Sequence, residues 1–147
     1  LGTSAASMLT AAEYDVLAKV NTSLPKRPPN AVRARLVVLD APRKIAEGAS
    51  LFSTEFDVEF LTQREAVAED LMLHARLMEP ISPSLLDEAE LVFGALRLQD
   101  VFDACVRDGL LVHVDEANSR TGTSYKPTEK GWLLGNELYG RLWDLRL

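Results

Sequence analysis

The sequence predicts a mixed α+β fold: a mainly helical carboxyl half containing one hairpin, preceded by a small β/α segment. Three observations point there. The stretch RLQDVFDACVRDGLLVHVDEANSRTGTSYKPTEKG, residues 97–131, runs helix, hairpin, helix, the order in which a winged-helix module is built. Apolar residues recur at helical spacing, with recognisable caps, through most of residues 63–147. Strand-like alternation and β-branching gather in AVRARLVVLD (31–40) and in the hairpin.

LGTSAASM, at residues 1–8, has small residues where backbone must approach something closely. It lacks the glycine pattern and lysine of a phosphate-binding loop, so by itself it reads as a tight loop. TAAE, with Thr10 and Glu13, fits a capping box and starts a helix over about 11–20. SLPKRPPN (23–30) is a stiff polar connection in which Pro25, Pro28 and Pro29 block helix. AVRARLVVLD is expected to pair with RKIAE (43–47) across APRK. TQRE, with Thr62 and Glu65, is a second capping box and opens a helix over about 63–78. Ser82 then stands at an N-cap, Pro83 at the first helical position and Gly94 beyond the end. The following helix carries Leu98, Val101, Phe102, Cys105 and Val106 on one face and stops at Gly109, a natural left-handed cap. LLVHVDE and TSYKP flank the turn-forming ANSRTG and make the hairpin; Thr128 caps a last helix, about 129–145. No internal repeat is visible.

The chain has 147 residues, enough for one ordinary domain or a domain with a structured appendage. It is 47% hydrophobic and 26% charged, which permits a buried core. Its longest aliphatic run, Leu36–Leu39, falls far short of the roughly 20 residues that span a bilayer. No basic-plus-apolar leader opens it, and a cytoplasmic protein without a membrane partner is expected. The net charge of −6 is unevenly spread. Residues 1–62 hold seven Lys/Arg and seven Asp/Glu, whereas residues 63–147 hold nine and fifteen. Phosphate binding depends on Lys/Arg neutralisation, so an acidic module argues against a nucleic-acid partner. The single cysteine, Cys105, excludes an internal disulfide and reads as a buried, inert thiol.

Two groups invite a functional reading. On the 63–78 helix, Glu65, Glu69 and Arg76 fall on one stripe, the expected solvated edge, while Asp70 and His74 fall opposite it between Val67 and Leu77. An i,i+4 carboxylate–imidazole pair can do acid–base work, or it can simply anchor the helix to its neighbours. No nucleophile or second acid is spaced to join it, and no further ligands surround it or His113 for a metal. On the last helix Trp132, Tyr139 and Trp143 share a stripe with Asn136 beside them, opposite the i,i+4 pair Glu137 and Arg141. The stripe reads as core packing, or as a face that docks on another domain. No catalytic residue is assigned.

Four segments resemble the oxygen-independent coproporphyrinogen III oxidase-like family of radical SAM proteins. LGTSAASM is similar to the G-x-S-A-x-S-M segment near the end of that family's catalytic barrel. EDLMLHARL (69–77) resembles the E-x-L-M-L-G-L-R-L helix that opens its carboxyl-terminal domain. DGLL (108–111) and PTEKGWLLGNEL (127–138) resemble its D-G-L-L and L-T-x-x-G-x-x-L-x-N patterns. The resemblance implies that the chain is the back part of a longer enzyme. Residues 1–62 would be the end of a radical SAM barrel with connecting strands. Residues 63–147 would be a winged-helix-like domain that covers the barrel and helps enclose substrate.

The parent's cofactors would be S-adenosylmethionine and a [4Fe–4S] cluster held by C-x-x-x-C-x-x-C, which one cysteine cannot supply; this chain itself would carry none. Its partners would be the missing barrel and, in the parent, a porphyrinogen or haem. Ala6, with Ser4, Ala5 and Ser7, would be the small residues beside the S-adenosylmethionine or substrate pocket. His74 stands where the family often has Gly, MEPIS (78–82) replaces a glycine-containing turn, and residues 21–62 match poorly. These departures leave three parents open: a decarboxylating oxidase, a haem chaperone of the related branch, and a relative with another substrate. A winged-helix binding module for nucleic acid or a protein partner is the rival reading.

Overall fold

The computed structural model describes residues 6–39, 47, 48, 50, 54–115 and 122–147. Together these form an α+β protein that divides into two compact units, Leu1–Gln63 and Arg64–Leu147.

The first unit is a three-stranded antiparallel sheet with one helix. Strand β1 (Ala6–Thr10) leads into helix α1 (Ala11–Val20), and strands β2 (Ala31–Val38) and β3 (Phe56–Thr62) follow, in sheet order β1-β2-β3. The capping box forms as expected: the Glu13 amide donates to the Thr10 hydroxyl, and Glu13 Oε2 accepts from the Thr10 amide at 2.8 Å. Alternation along β2 sends Ala34 and Leu36 into a small core with Tyr14, which meets Phe60 edge-on. Arg33, Arg35 and Val37 then belong to the opposite face of the sheet. The proline-rich connection is tied down by polar contacts. Tyr14 donates its hydroxyl proton to the Pro25 carbonyl at 2.6 Å, and Arg27 grips Asp15 while donating to the Ala31 carbonyl.

Two expectations change here. Both edges of β2 are taken, by β1 in the register Ala6↔Val37 and by β3 in the register Val38↔Phe56. Strand β2 therefore has no free edge for the pairing expected with RKIAE, most of which lies outside the described residues. The true partner, FDVEFLT, alternates as a strand should, but its two carboxylates disguise it. LGTSAASM, read as a tight loop, instead contributes Ala6, Ser7 and Met8 to β1, because Ser7 and Leu9 fall opposite Leu36 and Ala34 on the helix-covered face.

The second unit packs helices α2 (Gln63–His74), α3 (Pro83–Phe93), α4 (Ala95–Arg107), α5 (Glu129–Leu133) and α6 (Gly135–Trp143) with the hairpin β4 (Leu111–Asp115) and β5 (Thr123–Pro127). A 3₁₀ turn, Asp144–Arg146, follows α6. Between α2 and α3 the backbone of Ile81 joins β5: its amide donates to the Tyr125 carbonyl at 2.8 Å, and its carbonyl accepts from the Ser124 hydroxyl at 2.6 Å. Helix, bridging residue, helix, helix, hairpin is the order of a winged helix. The core collects Leu71 and Ala75, Ile81, Leu85 and Phe93, Phe102 and Cys105, Leu110 and Leu111, and Leu138, Leu142 and Leu145.

Helix α2 stops at His74 rather than running to residue 78, and Met78 takes a left-handed φ of 57°. The last helix is broken at Leu134. Pro83 starts α3 as expected, but the Ser82 side chain makes no capping bond.

Candidate functional site

The segments 108–111 and 127–138, separated by the hairpin, meet in one joint. Helix α4 ends at Asp108, and Gly109 takes a left-handed φ of 73° that turns the chain into β4. Thr128 closes the other side. Its hydroxyl donates to the Gly109 carbonyl at 2.6 Å and accepts from the Gly131 amide at 2.9 Å, while its own amide donates to the Leu110 carbonyl at 3.0 Å. A Cβ added to Gly131 would lie 2.0 Å from the Leu110 carbonyl oxygen, so only glycine lets the first turn of α5 sit this close. Lys130 donates to the Asp108 carbonyl, and Arg141, from α6, bridges Asp108 and Glu137. Both carboxylates push the Arg141 pKa up. Asp108, Thr128, Lys130 and Glu137 thus each have a structural use in the joint.

Cys105 is buried in the core beneath this joint. Burial pushes its thiol pKa up, with Arg141 pulling the other way, so it is held as the neutral thiol. A lone protonated thiol does not fit a [4Fe–4S] cluster, which needs several thiolates. Among the described residues no group of three or more His, Cys, Asp or Glu is placed to hold a metal ion.

Asp70 and His74 lie together, half-buried, in an open cleft between α2 and α3 with Leu73, Ser84, Leu85 and Glu88. The Nδ1 of His74 is buried and makes no hydrogen bond. The helix faces differ from those expected. Val67, Ala68, Leu71 and Ala75 face the core, Leu77 is exposed, and Glu69, expected at the solvated edge, is only 7% exposed. The helix is short and ends within the packed region, so its buried arc is wider than the spacing of apolar residues alone conveys.

The aromatic stripe is also redistributed. Leu138 and Leu142 form the buried face of α6, with Leu145 just beyond it, while Tyr139 and Trp143 pack at its margin under Arg76 and Arg146. Trp132 is 54% exposed, and with Leu133 (67%) and Leu134 (49%) it makes an apolar surface at the α5–α6 break. An open cleft there is lined by these three residues with Gly135, Asn136, Glu137 and Tyr139. Gly135 is buried against the Tyr139 ring, which occupies the place a side chain would need. Residue spacing alone predicts one continuous helix; the break rotates Trp132 out of the stripe. The expected Glu137–Arg141 pair is present at 2.8 Å.

Of the small residues near the amino terminus, Ser4 and Ala5 lie outside the described residues. Ala6 and Ser7 open β1 opposite Val37 and Leu36, with Ala6 exposed. The helix preceding the hairpin, where a DNA-reading winged helix places its contacts, presents Asp100 as well as Arg97 and Arg107 to solvent, and Arg97 is turned back to the Asp144 carbonyl. No helix of the described residues is long and apolar enough to cross a membrane. No family model, curated protein or solved structure matches the chain.

Proposed function

We propose that this chain is the carboxyl-terminal, non-catalytic part of a radical SAM protein of the coproporphyrinogen III oxidase-like family, and that its helical unit covers the catalytic barrel and helps enclose substrate. The observation that carries the reading is the joint. Two family-like segments, Asp108–Leu111 and Pro127–Leu138, come together, and their residues are explained by fitting one another: Gly109 by its left-handed turn, Thr128 by its three bonds, Gly131 by its contact with Leu110. A motif that specifies an architecture rather than a reaction suits a covering domain.

Charge supports the choice of partner. The unit from residue 63 onward is acidic, and a winged helix of that sign repels phosphate. The apolar surface of Trp132, Leu133 and Leu134 is of the kind a cover uses against a protein neighbour. The strands of the first unit pair antiparallel, unlike the parallel staves of a βα-barrel. In this reading residues 1–62 hold the end of the barrel together with the strands that connect it to the cover.

The coding sequence ahead of Leu1 tests the assignment. A C-x-x-x-C-x-x-C motif is expected roughly 200–300 residues upstream, the length of a barrel domain. A reading frame that starts nearby without such a motif would remove the enzyme reading and leave a free-standing binding module.

A further inference from the structure

No further inference is drawn: the strongest candidate, the α2–α3 cleft lined by Asp70, His74, Ser84 and Glu88, is a carboxylate cluster whose acidic groups are already engaged within the fold, and nothing in the structure points to a ligand for it.

Discussion

Gly131 and Gly140 lie nine residues apart on successive helices and should respond to alanine in opposite ways. At Gly131 the new methyl would collide with backbone, the Leu110 carbonyl, which cannot swing aside. Gly131→Ala is therefore expected to cost about 3 kcal/mol or more, at the upper end of overpacking. At Gly140 the space is open within 4 Å, and alanine should stabilise α6 by about 0.5–1 kcal/mol. Urea melts of the two variants check both signs.

Tyr14 gives a pH signature in the first unit. Its burial, helped by the negative charge of Asp15, raises the phenol pKa. The neutral phenol is the form the fold holds, so its contribution is complete below the unfolded value of about 10 and is lost as pH rises through the folded one. Tyr14→Phe should remove this alkaline sensitivity and, with the bond to Pro25, about 1 kcal/mol. Difference stability curves between pH 8 and pH 11 measure it; parallel curves for the two proteins would contradict it.

Individual residues differ in how much of this their sequence context conveys. The Thr10–Glu13 box and the left-handed Gly109 are local, set by neighbours three or fewer residues away, and both are legible. Burial of Glu69 and the contact at Gly131 depend on what packs from elsewhere in the chain. No helical period reports that.

At the scale of elements, Arg64 is the residue that closes the helical unit. From the first turn of α2 its guanidinium donates to the Val92 carbonyl at the end of α3 and to the Leu145 and Arg146 carbonyls of the final 3₁₀ turn, and it lies over the Phe93 ring. It thus caps two helical ends whose carbonyls have no partner within their own helix. Hydrogen bonds to a charged group are worth roughly 1.5–3 kcal/mol each, so Arg64→Ala should lower stability by at least ~2 kcal/mol. Arg64→Lys should recover little, because a single ammonium cannot span three carbonyls in the plane of a guanidinium. Thermal melts of both variants decide this; full rescue by lysine would show that charge alone mattered.

The α5–α6 break makes a second contrast. Trp132→Ala should change stability by no more than about 0.5 kcal/mol, as a surface substitution does. Leu142→Ala should cost about 2–5 kcal/mol. Acrylamide should quench Trp132 strongly and Trp143 less, with each tryptophan read in the single Trp→Phe variant of the other. The positions of α1, α3, α4 and the hairpin were legible from local signals: the Thr10–Glu13 box, Pro83 with Gly94, Gly109, and a turn-forming loop. The pairing of β2 with β3 was not, because Asp57 and Glu59 on the second face of the sheet weaken the strand pattern while one of them, Glu59, pairs with Arg35 across the ladder. The break at Leu134 is not legible in the helical spacing: Gly131 packs on the Leu110 backbone from outside the helix, and Gly135 is filled by the Tyr139 ring one turn on.

For the whole molecule, charge and surface matter more than any single residue. A winged helix that reads DNA gains its affinity from several phosphate contacts, and this one offers few cations, one of them already turned to a carbonyl. No specific duplex binding is expected at physiological salt. A titration showing sub-micromolar affinity that falls with salt would move the assignment to the rival class. The fold class was legible because patterns along the chain suffice for it. The apolar surface at the α5–α6 break was not, since exposure of Trp132, Leu133 and Leu134 emerges only once Leu138, Leu142 and Leu145 have filled the core.

Turnover by the whole gene product tests the central claim most directly. With the decarboxylating oxidase as the parent, it is predicted to release carbon dioxide from the substrate's propionates when reconstituted anaerobically with iron and sulfide and supplied with S-adenosylmethionine, reductant and coproporphyrinogen III. Leu133→Asp should then lower that turnover at least about tenfold, equivalent to ~1.4 kcal/mol, with the iron content unchanged. A product that assembles no cluster, or one whose turnover is indifferent to a charge at Leu133, would contradict the account.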